Sequence, residues 1–291
     1  MSKKLLLAAS AVAYWFSRRE VLKVFKRFDK RLTPVVLDVP HVNVTFKSDG
    51  QQLVGNLFGT NEKGLIVFAH GLGLGSDDYY MITKALALNG YQVLAYDATG
   101  TFRSQGQSTV GINQSVVDLR SALDFVLSHK DINHDKLYLV GHSWGGYAVA
   151  AILNEKKYPV DGIISLGASN SAFELMYYNV EHPAEKLMLP FTSLYHIFAF
   201  GKDFFYTAVG GLNKSNIPAL IVHGTKDEQI DIKTTSIYAH KDKIKNPNVR
   251  YFIRDEDGNN GHNSIFEDVS DPKKIDPVLL DEMLNFLESS L

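Results

Sequence analysis

The segment Leu139-Val140-Gly141-His142-Ser143-Trp144-Gly145-Gly146 constrains the fold of this chain more than any other. A largely apolar run precedes it at residues 136–140, and a run of small residues follows at 148–153. The first reads as a buried strand and the second as a helix, so Ser143 falls on the turn between them. A turn that sharp forces the serine into a strained backbone and holds its hydroxyl above the end of a sheet. Gly141 and Gly145, two residues to either side, sit where strand and helix backbones come too close for side chains. This is the G-x-S-x-G pattern of a nucleophile elbow. The competing reading is a glycine-rich turn with an inert serine. Whether the chain also supplies a base, an acid and an oxyanion site decides between the two.

Elements on either side follow the same alternation. Residues 42–46 and 53–58, joined through Asp49-Gly50, read as an antiparallel hairpin at a sheet edge. Residues 65–69, 92–96, 163–166, 219–222 and 249–253 are short apolar runs of the kind that form strands covered on both faces. Helices are predicted at 77–89, 115–129, 233–241 and 277–287. Strands alternating with helices imply an α/β fold, a mostly parallel central sheet with helices on both faces. At 291 residues, such a chain is long enough for one large domain. The net charge of −2 gives no reason to expect nucleic acid as a partner. The absence of cysteine excludes thiolate nucleophiles, disulfides and cysteine metal sites.

In open α/β sheets ligands sit beyond the carboxyl ends of the strands, and the candidate residues all follow strands. His262, in Asn260-Gly261-His262-Asn263-Ser264, lies after the last strand and is the candidate base, since imidazole accepts and returns a proton near neutral pH. His142 adjoins the nucleophile and is expected to point away from the site. Asp227, in His223-Gly224-Thr225-Lys226-Asp227-Glu228, is the candidate acid that orients the imidazole; Glu228 is its nearer rival, and Asp255 and Asp257 crowd His262. The chain order serine, acid, histidine matches the order that goes with this elbow. For the two N–H donors of an oxyanion hole, the candidates are the backbones of Trp144 and Leu72, the latter in His70-Gly71-Leu72-Gly73-Leu74-Gly75. That loop begins like G-x-G-x-x-G, but its sixth position is Ser76, so dinucleotide binding is not expected. No cofactor or metal is implied.

From about Val39 onward these motifs resemble the α/β-hydrolase superfamily. The piece Tyr96-Asp97-Ala98-Thr99-Gly100-Thr101-Phe102-Arg103-Ser104-Gln105-Gly106 is similar to the D-x-R-G-x-G-x-S segment of the serine aminopeptidase-like and monoacylglycerol lipase-like branch. It differs from that segment at Thr99, where arginine is usual, and at Phe102, where glycine is. The resemblance implies an α/β-hydrolase fold with a small helical cap, here the aromatic-rich insertion at 170–216. Phe173, Tyr177 and Phe198 are the candidate substrate-binding residues within it. The implied reaction is hydrolysis of a small-molecule acyl or aromatic ester through an acyl-enzyme. A peptidase or thioesterase would use the same three residues, and a non-catalytic binding protein on the same fold is the reading from another class.

Residues 1–33 stand apart from the hydrolase domain expected at 34–291. Lys3-Lys4 lead an apolar run at 5–16, too short for a comfortable membrane span, and basic residues follow. Residues 21–28 read as a basic amphipathic helix. A membrane-surface anchor through residues 3–30, a secretory signal, or a helix packed on the body or over its pocket all fit. The first implies the cytoplasmic face of a membrane or the cytoplasm, and the second implies secretion.

Overall fold

The computed structural model describes residues 3–29, 35–178, 186 and 189–290. Its centre is an eight-stranded sheet. In chain order the strands are β1 (His41–Ser48), β2 (Gln51–Phe58), β3 (Gly64–Ala69), β4 (Tyr91–Asp97), β5 (Leu137–His142), β6 (Gly162–Leu166), β7 (Ala219–Gly224) and β8 (Val249–Arg254). They lie side by side as β1-β2-β4-β3-β5-β6-β7-β8. The first two form the antiparallel edge hairpin; all pairings from β4 to β8 are parallel.

Side-chain alternation along the strands divides the core in two. Leu65 and Val67 of β3 join Leu137, Leu139 and Ile221 on one face. Ile66 and Phe68 join Val140, Ile164 and Val222 on the other. Helices α1 (Lys3–Val24), α3 (Gln114–Ser128) and α4 (Trp144–Ala151) bury Val21, Leu119 and Ala148 against the first face. Helix α2 (Tyr80–Leu88) buries Ile82 and Leu86 against the second. Each fully buried aliphatic side chain contributes on the order of 2 kcal/mol, which is why neither face can stay bare.

Among the described residues three further helices, α5 (Ala172–Tyr178), α6 (Leu189–Phe200) and α7 (Ala208–Lys214), fall between 170 and 216, and α8 (Pro277–Ser289) is the last described helix. Asp276 caps α8 by accepting from the Leu279 N–H (2.8 Å), and Pro277 takes the first turn, where its missing N–H is harmless. A small hairpin of β9 (Glu267–Asp268) and β10 (Asp271–Ile275) precedes it, which the sequence reading omits. The helix predicted at 233–241 is a set of turns followed by a 3-10 helix at Tyr238–Lys243. Asp231 explains the difference. Its carboxylate accepts from the Lys233 N–H and the Thr234 hydroxyl, and its carbonyl accepts from Thr234, Thr235 and Ser236, so local bonds displace a helical ladder.

The N-terminal segment departs from the expected periodicity. Helix α1 stops at Val24, and residues 25–28 run extended along the loop at 100–109, with bridges Lys26–Ser108 and Phe28–Thr101. Arg27 donates to the carbonyls of Phe102, Ser104 and Gly106 at 2.9, 3.0 and 2.7 Å. Upstream, Tyr14 meets Phe198 of α6 edge-on, and Ser17 accepts from the Tyr195 N–H. The second half of α1 and the strap after it are thus packed on the body. Pro34 and the boundary at 33/34 lie outside the described residues. No helix among the described residues is long and apolar enough to cross a membrane.

Candidate active site

Ser143 follows β5 and caps α4 with φ +53° and ψ −113°, a conformation that costs a non-glycine residue of order 1–3 kcal/mol. The surrounding backbone enforces it. A Cβ on Gly145 would stand 2.0 Å from the carbonyl oxygen of Ala69, and one on Gly141 would stand 2.4 Å from that of Gly145. Ser143 itself donates its N–H to Leu166 (2.8 Å), which locks the turn onto β6.

The structure brings the three candidate side chains together from loops after β5, β7 and β8. His262 Nε2 lies 2.9 Å from Ser143 Oγ, and His262 Nδ1 lies 2.8 Å from Asp227 Oδ2. An aspartate oxygen only accepts, so Nδ1 carries the proton and Nε2 is free to accept from the serine hydroxyl. The other oxygen of Asp227 accepts from the N–H groups of Gln229 and Ile230 at 2.9 and 2.8 Å. Burial raises the carboxyl's proton affinity, but the His262 hydrogen bond and charge and the Ile230 N–H outweigh it, holding Asp227 below the usual carboxylate range. His223, buried, reaches Asp227 Oδ2 at 3.3 Å and donates to the Ile230 carbonyl (2.9 Å).

The rival acids do other work. Glu228 accepts the backbone N–H of His262 at 3.0 Å, Asp255 accepts from the Thr225 hydroxyl, and Asp257 pairs with Lys226. The loop carrying His262 is fixed from below by Arg254, which is buried and donates to the Ile265 carbonyl (3.0 Å) and to Asp276 (2.6 Å).

His142 does not stand apart from the site. Its ring lies under that of His262, with centroids 4.7 Å apart. Its Nε2 lies 3.0 Å from the His262 carbonyl and its Nδ1 lies 2.7 Å from the Tyr79 hydroxyl. The carbonyl can only accept, so Nε2 carries the proton and Tyr79 donates to Nδ1. Tyr79 in turn accepts from the Gly71 N–H at 3.1 Å. Burial, reinforced by the charge of His262, pushes the His142 pKa down to about 3, so its ring is neutral at ordinary pH. Sequence reasoning missed Tyr79 altogether. It also missed this role for His142, whose position beside the nucleophile was the available signal.

Leu72 and Trp144 line one open cavity of about 380 Å³ together with Ser143 and His262. Among the described residues no acceptor engages the backbone N–H of either, which leaves both donors available. Trp144 is held by its indole N–H, which donates to the Ile112 carbonyl. The apolar wall comes from Phe25, Leu74, Ile112, Leu175 and Ile230, and among the described residues no aspartate, glutamate, lysine or arginine contributes to the lining. Phe173, Tyr177 and Phe198 are not brought to this cavity. They are 48%, 39% and 68% exposed, and Leu175 is the residue of α5 that faces in. The 97–104 segment buttresses the end of the loop after β3. Asp97 accepts from the Ser76 N–H and hydroxyl (2.8 Å each), and Arg103 reaches its other oxygen at 2.8 Å.

A mostly parallel sheet of this order, with a serine, an acid and a histidine at its carboxyl edge, is the α/β-hydrolase fold, and the chain has that fold. The family model for serine aminopeptidases of family S33 matches residues 60–197, a stretch that holds the elbow and the loop after β3 and stops short of Asp227 and His262. An esterase of Pyrococcus furiosus superposes with a TM-score of 0.67 at 16% identity, over 91% of this chain and 98% of that one. A Butyrivibrio proteoclasticus protein solved with ferulic acid gives 0.63 at 15% identity, over 85% and 98%. The thioesterase domain of the curacin biosynthetic pathway gives 0.58 at 14% identity, over 84% and 99%. No curated protein matches the chain by sequence.

Proposed function

We propose that the protein is a serine hydrolase that cleaves a carboxylic ester. Ser143 Oγ attacks the ester carbonyl as its proton passes to His262 Nε2. The N–H groups of Leu72 and Trp144 stabilise the oxyanion, and His262 returns the proton to the leaving alcohol. A water molecule, deprotonated by the same imidazole, then releases the acid from the acyl-enzyme. Asp227 holds the imidazole in the required tautomer and stabilises its charged form.

The observation that carries this reading is the continuous hydrogen-bonded line from Asp227 through His262 to Ser143, opening on a cavity walled by apolar side chains. A peptide with a free amino terminus would need an anionic partner there, and among the described residues the lining has none, which favours an uncharged ester. A thioester would fit the same walls. Reaction with a fluorophosphonate probe, followed by a screen of p-nitrophenyl esters and matched thioesters, tests the reading. Labelling at Ser143 with faster ester than thioester turnover is expected; a native protein that stays unlabelled would point to a binding protein on this fold.

Helix α1 supports a further element of the reading, attachment to an anionic membrane surface. Residues 3–28 carry seven basic residues against one acidic, opposite in sign to the whole chain, and Val12, Trp15 and Phe16 are exposed on the helix. Sedimentation with vesicles containing anionic lipid is expected for the protein and reduced by Trp15→Ala with Arg19→Ala. Equal sedimentation with purely neutral vesicles would count against it.

A further inference from the structure

The strap at residues 25–28 belongs to no part of the hydrolase scaffold that carries the candidate reacting groups, yet it reaches the substrate cavity. Phe25 is 6% exposed and forms part of the cavity wall beside Leu72, Ile112 and Trp144. Behind it stands the buried imidazole of His196 on α6, edge-on at 6.0 Å between centroids. Phe25 therefore has packed structure on one side and the cavity on the other, which is the position of an end wall.

Three observations show that the strap is built into the site. Its backbone is paired with the 100–109 loop: Phe28 donates to Gly100 (3.0 Å), Phe102 donates to Phe28 (2.7 Å), and Thr109 donates to Phe25 (3.2 Å). Arg27 gathers three carbonyls of that loop, as described above. Lastly, the Phe28 ring lies against Gly73, where a Cβ would meet it at 3.4 Å, so the loop carrying Leu72 rests on the strap.

We propose that this N-terminal strap completes the substrate site, with Phe25 setting the length of the apolar arm of the ester that the cavity admits. The inference rests on the cavity being an ester site. The ring occupies space that extra methylene groups would need, and each methylene a pocket admits or refuses changes discrimination about tenfold or more. Arg27 acts at one remove, as a positioning residue that keeps the ring in place.

Two series of esters test this, one lengthening the acyl group and one the alcohol, assayed on the full chain. For Phe25→Ala, kcat/KM for long members relative to short ones is expected to rise about tenfold in one of the two series, and Phe25→Trp is expected to lower the same ratio. Arg27→Gln is expected to shift the profile in the direction of Phe25→Ala. Val24→Ala, next in the chain but 61% exposed, is expected to leave it unchanged. An unaltered ratio in both series for a folded Phe25→Ala would overturn the proposal; if that variant fails to fold, Phe25→Leu and Phe25→Trp carry the same comparison.

A binding measurement separates this outcome from failure of the ester reading. Calorimetric titration of Ser143→Ala with butanoate, octanoate and dodecanoate requires no turnover. Where the acyl series is the one that shifts, the added Phe25→Ala change is expected to strengthen binding of the longest acid selectively; where the alcohol series shifts, the same is expected of butanol, octanol and dodecanol. Equal affinities with and without Phe25 for both the acids and the alcohols would sink the strap proposal even in a protein that hydrolyses esters.

Discussion

Ser143→Ala is expected to lower kcat for ester hydrolysis by roughly five to six orders of magnitude, and His262→Ala by a similar factor, with the double variant scarcely worse than either. The reason is geometric. Oγ is a weak nucleophile unless Nε2 takes its proton during attack, and at 2.9 Å the two act as one group, so losing either loses the step. The residual rate would come from the oxyanion donors and the cavity, which neither change touches. Asp227→Ala should cost less, because Glu228 still accepts the His262 backbone N–H and Arg254 still holds the loop that carries it. Single-turnover and steady-state kinetics on the purified variants check the ranking. A mild effect of His262→Ala beside a severe one for Ser143→Ala would move the base to another residue.

The second large effect is on stability in acid. His70, His142, His196 and His223 are all buried, and burial holds each below the usual histidine value. In the unfolded chain each titrates near 6.5. Above that pH both states are neutral at these positions and folding takes no penalty. Below it the unfolded chain binds protons that the native protein refuses, and for His142 the refusal lasts down to about pH 3. Each such group removes about 1.4 kcal/mol of stability per pH unit across its window. The thermal midpoint is therefore expected to drop by several degrees between pH 7 and pH 5. His196→Phe, which replaces one imidazole among aromatic neighbours, is expected to make the decline shallower. A midpoint that stays level over this range would refute the account.

The fold was legible because its signals are local. Short apolar runs such as 65–69 and 163–166, spaced by helical stretches, state a parallel sheet directly, and glycines at 141 and 145 mark where a strand must turn into a helix. Asp227 and His262 stood out for a related reason: each follows a strand in the order that the elbow demands, and the structure sets them within hydrogen-bond reach of one another. The wall of the cavity was not legible. Phe25, Ile112, Leu175 and Ile230 come from four distant segments, and nothing in their local patterns says that they face a common space. Phe173, Tyr177 and Phe198 are aromatics in the stretch after β6, but ring type does not tell which way a helix is turned. Residues 21–28 carry apolar groups at helical spacing, yet the carbonyls of residues 102–106 capture Arg27 and pull the chain straight. There, tertiary hydrogen bonds override local preference.

The buried line of Gly71, Tyr79, His142 and the carbonyl of His262 fastens the loop after β3 to the loop after β8, beneath Ser143, through side chains almost wholly removed from solvent. The two halves cannot spread apart to admit a bulky guest without stranding polar atoms in the interior. Entry and exit must then be governed at the periphery, so evolution could retune what the protein accepts by altering its N-terminal ribbon and overlying helices while the chemistry beneath stays undisturbed.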